Sequence, residues 1–371
     1  MHDLYDLYGR QALTLFAWLL GIVGAALVVL GGLRSRRRLS KQRTQWLHRA
    51  PGSAGTCDLP GSGVAAPAAV MGETPAAQVA RLDRSTVGPY RIERPLGRGS
   101  MGLVYLAHDA QRVQPIAVKT MVLGREHDLV DRAEARERFF REAATVGRLH
   151  HPDIVEVFEA GEDQGLAYIA MEFVPGHDLS RHTSAGQLLP VPVVLRMMAR
   201  VARALAYAHA QGVVHRDVKP ANVMFEPVSQ SVKVTDFGIA SLADAFSTRT
   251  GLVLGTPSYM SPEQLTGARV DGRSDLYALG VMLFELLTGA LPHRGETVAD
   301  LLRQIVNAVA PDVRSLRPDL PAALAEVVAR ALEKQADRRH GDAAQFAAEL
   351  LVIANTMNPP AAATVPGRAT P

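Results

Sequence analysis

Four polar residues that could handle a nucleotide phosphate lie within twenty positions of one another. Asp217, Lys219 and Asn222 belong to one short segment, and Asp236 opens the tripeptide Asp-Phe-Gly. One carboxylate can orient a hydroxyl nucleophile, while a second carboxylate and an amide oxygen are ligands that Mg²⁺ prefers. A lysine beside them can offset the charge of a moving phosphoryl group. This combination predicts phosphoryl transfer from a triphosphate to a hydroxyl.

A glycine-rich loop precedes that segment in the chain. Residues 97–104 follow the pattern Gly-x-Gly-x-x-Gly-x-Val, with glycines at Gly97, Gly99 and Gly102. Glycine lets the backbone come close to phosphates and direct N–H groups at them. A dinucleotide-binding turn shares the pattern but opens a helix, whereas the residues after Gly102 predict a strand. We therefore expect a hairpin that covers phosphates.

Lys119 follows the loop in the sequence Ile-Ala-Val-Lys, at a distance that favours a phosphate-binding role over that of a solvated strand lysine. A lysine in a groove needs a fixed partner to stay extended. Glu142 is the predicted partner, because it lies three residues after the inward-facing Phe139 on the next helix. Glu134 and Glu137 lie nearby on that helix, and the alternative is that all three carboxylates are surface charges.

Together these motifs resemble the catalytic core of protein kinases. The sequence of residues 255–264, Gly-Thr-Pro-Ser-Tyr-Met-Ser-Pro-Glu-Gln, is similar to that of bacterial eukaryotic-like serine/threonine protein kinases. The resemblance covers about residues 88–354. It implies an α+β, bilobal protein kinase fold with a β-rich N-lobe and a helical C-lobe. A lysine two residues after the aspartate, as at Lys219, resembles the pattern of serine/threonine kinases and not that of tyrosine kinases.

The resemblance also implies roles for individual residues. Asp217 would accept or orient the substrate hydroxyl, with Lys219, Lys119 and Glu142 completing the catalytic set. Asn222 and Asp236 would hold Mg²⁺, with Mn²⁺ as the alternative metal. ATP would contact the glycine loop, the strands behind it and the hinge between the lobes: Leu96, Gly97, Gly99, Gly102, Val104, Ala117, Lys119, Met171, Glu172 and Val174.

Residues 239–263 resemble an activation loop. Thr248 and Thr250 are predicted phosphorylation sites that Arg216 could pair with, and ordinary polar loop residues are the alternative. By resemblance, Thr256 would touch both Asp217 and the substrate.

Three further residues have implied structural roles. Glu263 would pair with Arg339, although Ser261 stands where the family usually has alanine. Asp275, at the start of a helix, would accept backbone N–H groups from the catalytic loop.

An apolar segment near the N-terminus predicts a membrane anchor. Residues 11–33 carry no charge and exceed the ~20 residues needed to cross a bilayer. A basic run follows at 34–43, so the N-terminus is expected outside and the rest of the chain in the cytoplasm. A cleaved signal peptide would carry its charge before the apolar run, and a buried core helix would lack the flanking arginines.

Length and composition fit one large domain or two medium domains, with tails. Apolar residues make up 47% of the 371, enough to bury a sizeable core, and the net charge of +3 does not suggest nucleic-acid binding. The lone Cys57 cannot form an internal disulfide, which suits a reducing compartment. The predicted organisation is an outer terminus at 1–10, a membrane helix at 11–33, a linker at 34–87, a kinase domain at 88–355 (N-lobe 88–171, C-lobe 175–355) and a tail at 356–371.

Periodicity predicts the elements of the domain. Strands are expected at 90–95, 104–109, 115–121, 154–159 and 167–173, and helices at 131–149, 193–211 and 275–288. The first helix should bury Phe139, Ala143 and Val146. The second should bury Val194, Met197, Val201 and Leu205. The third is apolar nearly all round and should end at Gly289.

The expected function is a membrane-anchored serine/threonine protein kinase that acts in signal transduction on protein substrates, itself among them. It could dimerise through the N-lobe or the membrane helix. The alternative is a catalytically silent pseudokinase scaffold at the membrane. Pseudokinases usually lack one of three residues that this chain retains, Lys119, Asp217 and Asp236. A small-molecule kinase is disfavoured by the peptide-docking segment at 256–263.

Overall fold

The computed structural model describes residues 85–98, 102–122, 129–237 and 257–357. These residues form two lobes, one built on a β-sheet and the other mainly on helices. The predicted strand-rich half before a helical half is confirmed. The predicted membrane helix at 11–33 lies outside the described residues, and none of the helices within them combines the length and apolar character that a bilayer span requires.

The N-lobe is a six-stranded antiparallel sheet in the order β1-β2-β3-β4-β6-β5. Its strands are β1 (Thr86–Val87), β2 (Tyr90–Arg98), β3 (Gly102–His108), β4 (Ile116–Val122), β5 (Val157–Asp163) and β6 (Leu166–Glu172). Successive side chains of β6 enter two different cores, as the two-residue period of a strand requires. Tyr168 and Ala170 pack with Tyr90, whereas Ile169 packs with Phe139.

One helix, α1 (Leu129–Val146), covers the second of these cores. Its buried face contains Phe139, Ala143 and Val146, as the spacing of four and three residues predicts. The end of α1 differs from the prediction by three residues, because the backbone turns at Gly147.

The strand predicted at 154–159 was wrong in its position, since β5 runs from Val157 to Asp163. Ile154 instead makes a parallel bridge to Val234, and Val155 N donates to Val234 O at 3.0 Å. The apolar run is therefore divided between the two lobes, which a period of two in the sequence does not reveal.

The C-lobe combines a small sheet, in the order β7-β8-β9, with the remaining helices. Its elements are β7 (His177–Asp178), α2 (Val191–Ala210), β8 (Val223–Glu226), β9 (Ser231–Val234), α3 (Pro262–Thr266), α4 (Gly272–Thr288), α5 (Val298–Asn307), α6 (Ala322–Ala331) and α7 (Ala343–Met357). Short 3₁₀ turns lie at Leu179–His182, Pro220–Asn222, Pro257–Tyr259, Val313–Ser315 and Ala336–Arg338.

Helix α4 is the centre of the C-lobe. It is buried along nearly its whole length and ends at Gly289, whose φ of 74° is the left-handed conformation expected of a glycine that stops a helix. Helix α2 packs against it and buries the four residues predicted for its inner face: Val194, Met197, Val201 and Leu205. This rigid pair supports the loop that follows α2.

Candidate active site

The segment 215–222 is fixed to the core by one carboxylate. Asp275 is buried in the first turn of α4, where Oδ2 accepts a hydrogen bond from His215 N and Oδ1 accepts one from Arg216 N, both at 2.8 Å. The Nε2 atom of His209, at the end of α2, lies 2.7 Å from the same Oδ2. The predicted contact of Asp275 with the loop backbone is confirmed. Hydrogen bonds to a buried carboxylate are strong, so this part of the loop is held rigidly.

The backbone of Arg216 is in the left-handed region, with φ of 67°. This conformation costs a residue with a side chain roughly 1–3 kcal/mol, and it persists only where the surroundings fix it. Arg216 immediately precedes Asp217, so the direction of the Asp217 side chain depends on this strained peptide.

Two predicted residues contact the side chain of Asp217. Lys219 Nζ lies 2.7 Å from Asp217 Oδ2, and Asn222 Nδ2 donates to the same oxygen at 2.9 Å. Asn222 Nδ2 also donates to the backbone O of Asp217 at 2.7 Å. Both side-chain contacts fall on Oδ2, so Oδ1 is the oxygen able to receive a substrate hydroxyl. The amide nitrogen of Asn222 is committed to Asp217, which leaves its Oδ1 as the available ligand atom.

His215 connects this loop to the strand end that carries Asp236. Its Nε2 donates to Thr235 O at 2.9 Å, so its Nδ1 is the acceptor and receives Asp217 N at 3.3 Å. The ring also lies 4.5 Å from that of Phe237. The motifs described above predict no role for His215, although its position two residues before Asp217 is a signal that could indicate one.

Lys119 and Asp236 form an ion pair, with Nζ 2.8 Å from Oδ2. Asp236 has φ of 61°, in the left-handed region that few residues other than glycine, asparagine and aspartate adopt. Burial raises the pKa of Asp236, but attraction to the Lys119 ammonium and its hydrogen bond outweigh burial and hold that pKa below its ordinary range. Asp236 is therefore ionised at neutral pH.

The predicted ion pair between Lys119 and Glu142 is not formed among the described residues, and Lys119 pairs with Asp236 instead. Glu142 does lie on α1 three residues after the buried Phe139, and it is half-buried. The backbone of Asp236 brings its carboxylate to hydrogen-bonding distance of the Lys119 ammonium.

The glycine-rich segment joins two antiparallel strands, as expected of a hairpin and not of a dinucleotide-binding turn. Gly97 pairs with Val104, and Val104 pairs in turn with Lys119 on β4. A Cβ atom on Gly102 would lie 1.7 Å from Thr120 O, so only glycine fits there. Leu96 precedes Gly97 on β2 and is partly exposed. Gly99 lies outside the described residues.

The predicted hinge follows the end of β6. Ala117 and Met171 are direct partners across β4 and β6, and Met171 shares a small cavity with Lys119 and Asp236. Glu172 is held from the C-lobe, because Lys233 Nζ lies 2.7 Å from its Oε2. Val174 is half-buried two residues later. No motif of the sequence indicates this role of Lys233.

The end of the predicted activation segment is held by a buried ion pair. Arg339 Nη1 and Nη2 lie 2.7 and 2.9 Å from the two carboxylate oxygens of Glu263, as predicted. Ser274 Oγ donates to Glu263 Oε1 at 2.7 Å. Burial raises the pKa of Glu263, but the hydrogen bonds from Arg339 and Ser274 hold it below its usual 4.5. Three predicted residues of this segment lie outside the described residues: Thr248, Thr250 and Thr256.

These elements are those of a protein kinase, and the comparison of sequences agrees. Residues 90–351 match the protein kinase domain family. The chain belongs to that family, since the match covers more than half of its length and includes every motif described above.

Curated relatives place the chain among bacterial members. It is 38% identical over 275 residues to the serine/threonine-protein kinase pkn3 of Myxococcus xanthus, a match that covers 71% of this chain and 50% of the relative. It is 36% identical to PrkC of Bacillus subtilis and 41% identical to PknJ of Mycobacterium tuberculosis, each covering 71% of this chain and 40% and 45% of the relative. The chain thus spans half or less of the length of these relatives.

Among solved structures, the crystal structure of Rad53 1–466 in complex with AMP-PNP superposes with a TM-score of 0.59. The two chains are 24% identical, and the match covers 71% of this chain and 65% of that one. This likeness shows the fold.

Proposed function

We propose that this chain is a serine/threonine protein kinase that transfers the γ-phosphate of ATP to serine and threonine hydroxyls of proteins, its own included. The observation that carries this proposal is that the Lys119–Asp236 ion pair lies beside the group formed by Asp217, Lys219 and Asn222. The two groups of residues are adjacent because Thr235 N donates to Asn222 O at 2.9 Å. The printed names of the bacterial relatives describe the same activity.

The residues of the cleft fit a nucleotide. The β2–β3 hairpin would cover the phosphates, and the backbone groups of Glu172 and Val174 would hydrogen-bond the adenine edge. Met171 and Ala117 provide an apolar surface where the base would lie. Lys119 is buried and supplies a positive charge at the end of this pocket, where the phosphates would be.

The donor set also fits Mg²⁺ or Mn²⁺. Asp236 is ionised, and Asn222 has its amide oxygen available because its nitrogen is bound to Asp217. Hard oxygen ligands of this kind are those that Mg²⁺ selects, with phosphate oxygens and water completing its shell. When bound, the metal would neutralise the charge that develops on the phosphates.

Asp217 and Lys219 would act at the reacting atoms. The Oδ1 atom of Asp217 would orient the substrate hydroxyl and accept its proton as the new oxygen–phosphorus bond forms. The bond from the γ-phosphorus to the bridging oxygen breaks, and ADP leaves with that oxygen. Lys219 would stabilise the transferring phosphoryl group, since its ammonium is already held beside Asp217.

Control of activity would come from the segment between Asp236 and Glu263. Phosphate on Thr248 or Thr250 would pair with the exposed Arg216, which adjoins Asp217. Thr256 would contact the substrate. The Glu263–Arg339 pair would anchor the end of the segment to the C-lobe.

The proposed location in the cell rests on the N-terminal sequence alone. The apolar residues 11–33 and the basic residues after them support a single-pass anchor in the plasma membrane, with the kinase domain in the cytoplasm. There the enzyme would act in signal transduction, and dimers could form through the N-lobe or the membrane helix. Fractionation of cells that express the chain with and without residues 1–33 tests this part. An equal membrane content of both forms would refute it.

A pseudokinase scaffold is the rival function, and retention of Lys119, Asp217 and Asp236 disfavours it. The purified chain incubated with γ-labelled ATP and a general protein substrate such as casein or myelin basic protein separates the two. We expect label on the chain or the substrate that depends on Mg²⁺ or Mn²⁺. Nucleotide binding without any transfer would favour the scaffold.

A further inference from the structure

Gln264 joins the predicted substrate-docking segment to the catalytic loop through the two ends of one side-chain amide. Its Oε1 accepts a hydrogen bond from Ser261 N at 2.9 Å, and its Nε2 donates to Arg216 O at 2.8 Å. A backbone N–H can only donate and a carbonyl can only accept, so the orientation of the amide is fixed by its partners.

The first of these contacts is a capping box. Ser261 is the N-cap of α3, and its Oγ accepts the N–H of Gln264 while the Gln264 side chain returns to Ser261 N. This accounts for serine at the position where alanine is usual in the family. It also means that Gln264 is oriented by its own helix before it reaches the catalytic loop.

The second contact falls on a strained peptide. Arg216 has φ of 67°, its N–H is bound by Asp275 and its C=O is bound by Gln264. The carbonyl of Arg216 belongs to the same peptide unit as Asp217 N. Both peptide groups that flank Arg216 are therefore held from outside the loop. Asp275 of the core holds one, and Gln264 of α3 holds the other.

We propose that Gln264 is a positioning residue that sets the direction of Asp217 by holding the Arg216 carbonyl, and that it couples order in the docking segment to the catalytic carboxylate. The inference rests on the proposed function, because Asp217 must act on a substrate hydroxyl for its direction to matter. A misplacement of about 1 Å in a reacting group can lower turnover by about a hundredfold.

Two substitutions separate this role from simple helix capping. Gln264→Glu keeps an acceptor for Ser261 N but has no donor for Arg216 O, whereas Gln264→Met removes both contacts at similar size. A capping role alone predicts that Gln264→Glu behaves like the unchanged protein. The positioning role predicts that both variants lose kcat by about tenfold or more while the KM for ATP stays within about twofold.

Gln304→Glu is the matched control. Gln304, on α5, also donates its amide nitrogen to a backbone carbonyl, but to that of Arg294 and not to one of the catalytic loop. This variant should retain kcat, and all three variants should be compared at a temperature well below their thermal unfolding midpoints.

A second readout does not require turnover. Amide hydrogen exchange of the peptide covering 213–219 should become faster in Gln264→Glu and stay unchanged in Gln304→Glu. Unchanged exchange in Gln264→Glu would overturn the inference whether or not the protein transfers phosphate. If the unchanged protein transfers phosphate and Gln264→Glu keeps its kcat, the inference is equally refuted while the proposed function stands.

Discussion

Lys119 and Asp236 come together with Nζ 2.8 Å from Oδ2, although more than a hundred residues separate them in the chain. One lies on the N-lobe sheet and the other follows a strand of the C-lobe. Both residues line one small cavity, so the ammonium group that suits phosphates lies beside the carboxylate that suits a metal.

Replacing Asp236 by asparagine should remove most phosphoryl transfer, because a neutral amide neither pairs with Lys119 nor offsets the charge of Mg²⁺. We expect kcat to fall by at least about 10²–10³-fold. Initial rates with γ-labelled ATP measure the effect. Asp319→Asn, which alters the ion pair of an exposed carboxylate with Arg317, should leave the rate unchanged. An Asp236→Asn variant with nearly normal turnover would show that this carboxylate is dispensable.

Replacing Glu263 by glutamine should destabilise the C-lobe. The guanidinium of Arg339 is fully buried, so removing the charge of Glu263 leaves a buried cation whose other partners are backbone carbonyls. We expect the free energy of unfolding to fall by about 3–5 kcal/mol, as measured by urea denaturation. The pair of Arg317 and Asp319 is again the control, since its carboxylate is exposed and Asp319→Asn should lower stability much less than Glu263→Gln does. Equal stability of Glu263→Gln and the unchanged protein would contradict the structural role.

The ionisation of Glu263 makes the free energy of unfolding depend on pH, in a direction that its pKa defines. The pKa of Glu263 is lower in the folded protein than its ordinary 4.5. Its contribution to stability is therefore complete above about pH 4.5 and is lost as the pH falls through the folded pKa. Unfolding free energies measured between pH 7 and pH 3 should converge for Glu263→Gln and the unchanged protein at the acid end. Parallel curves would mean that Glu263 does not titrate in this way.

Replacing Asp275 by asparagine should disorder the catalytic loop. The new side-chain amide nitrogen would face a backbone N–H, because both oxygens of Asp275 accept such groups. The N–H of either His215 or Arg216 therefore loses its acceptor. We expect kcat to fall by about tenfold or more. Asp271→Asn is the matched control, because Asp271 caps the same helix through Arg273 N and does not touch the loop. That variant should keep its kcat. The same kcat in both variants would argue against the anchoring role of Asp275.

Replacing Gly102 by alanine should distort the hairpin, because the new Cβ would lie 1.7 Å from Thr120 O and backbone must move. We expect a lower thermal midpoint and weaker ATP binding, measured by differential scanning fluorimetry with and without nucleotide. Gly186→Ala, where nothing lies within 4 Å of the added atom, should be neutral in both measurements. A Gly102→Ala variant with normal nucleotide affinity would exclude close packing here as a requirement for binding.

Much of this arrangement was predictable because local patterns determine it. The inner faces of α1 and α2 follow from the spacing of apolar residues, and the positions of Asp275, Glu263 and Arg339 follow from motifs that surround them. Choices between competing partners were not predictable in the same way. The sequence alone offers several carboxylates as partners for Lys119, and the left-handed backbone of Asp236 appears only in three dimensions.

Hydrogen bonds accepted by backbone carbonyls could not be predicted from the sequence either. The carbonyl of Arg216 and that of Thr235 accept hydrogen bonds from Gln264 and His215. Such bonds depend on the path of the chain and not on the residue type that provides the carbonyl, so no pattern of side chains reports them.

The most direct test of the central claim is to compare the unchanged protein with Asp217→Asn in both turnover and nucleotide affinity. Asparagine keeps the shape of the side chain but accepts no proton, so we expect kcat to fall by about 10²–10⁴-fold. The Kd for ATP with Mg²⁺ should stay within a few fold of the original value. Nearly full phosphoryl transfer by purified Asp217→Asn would contradict the account.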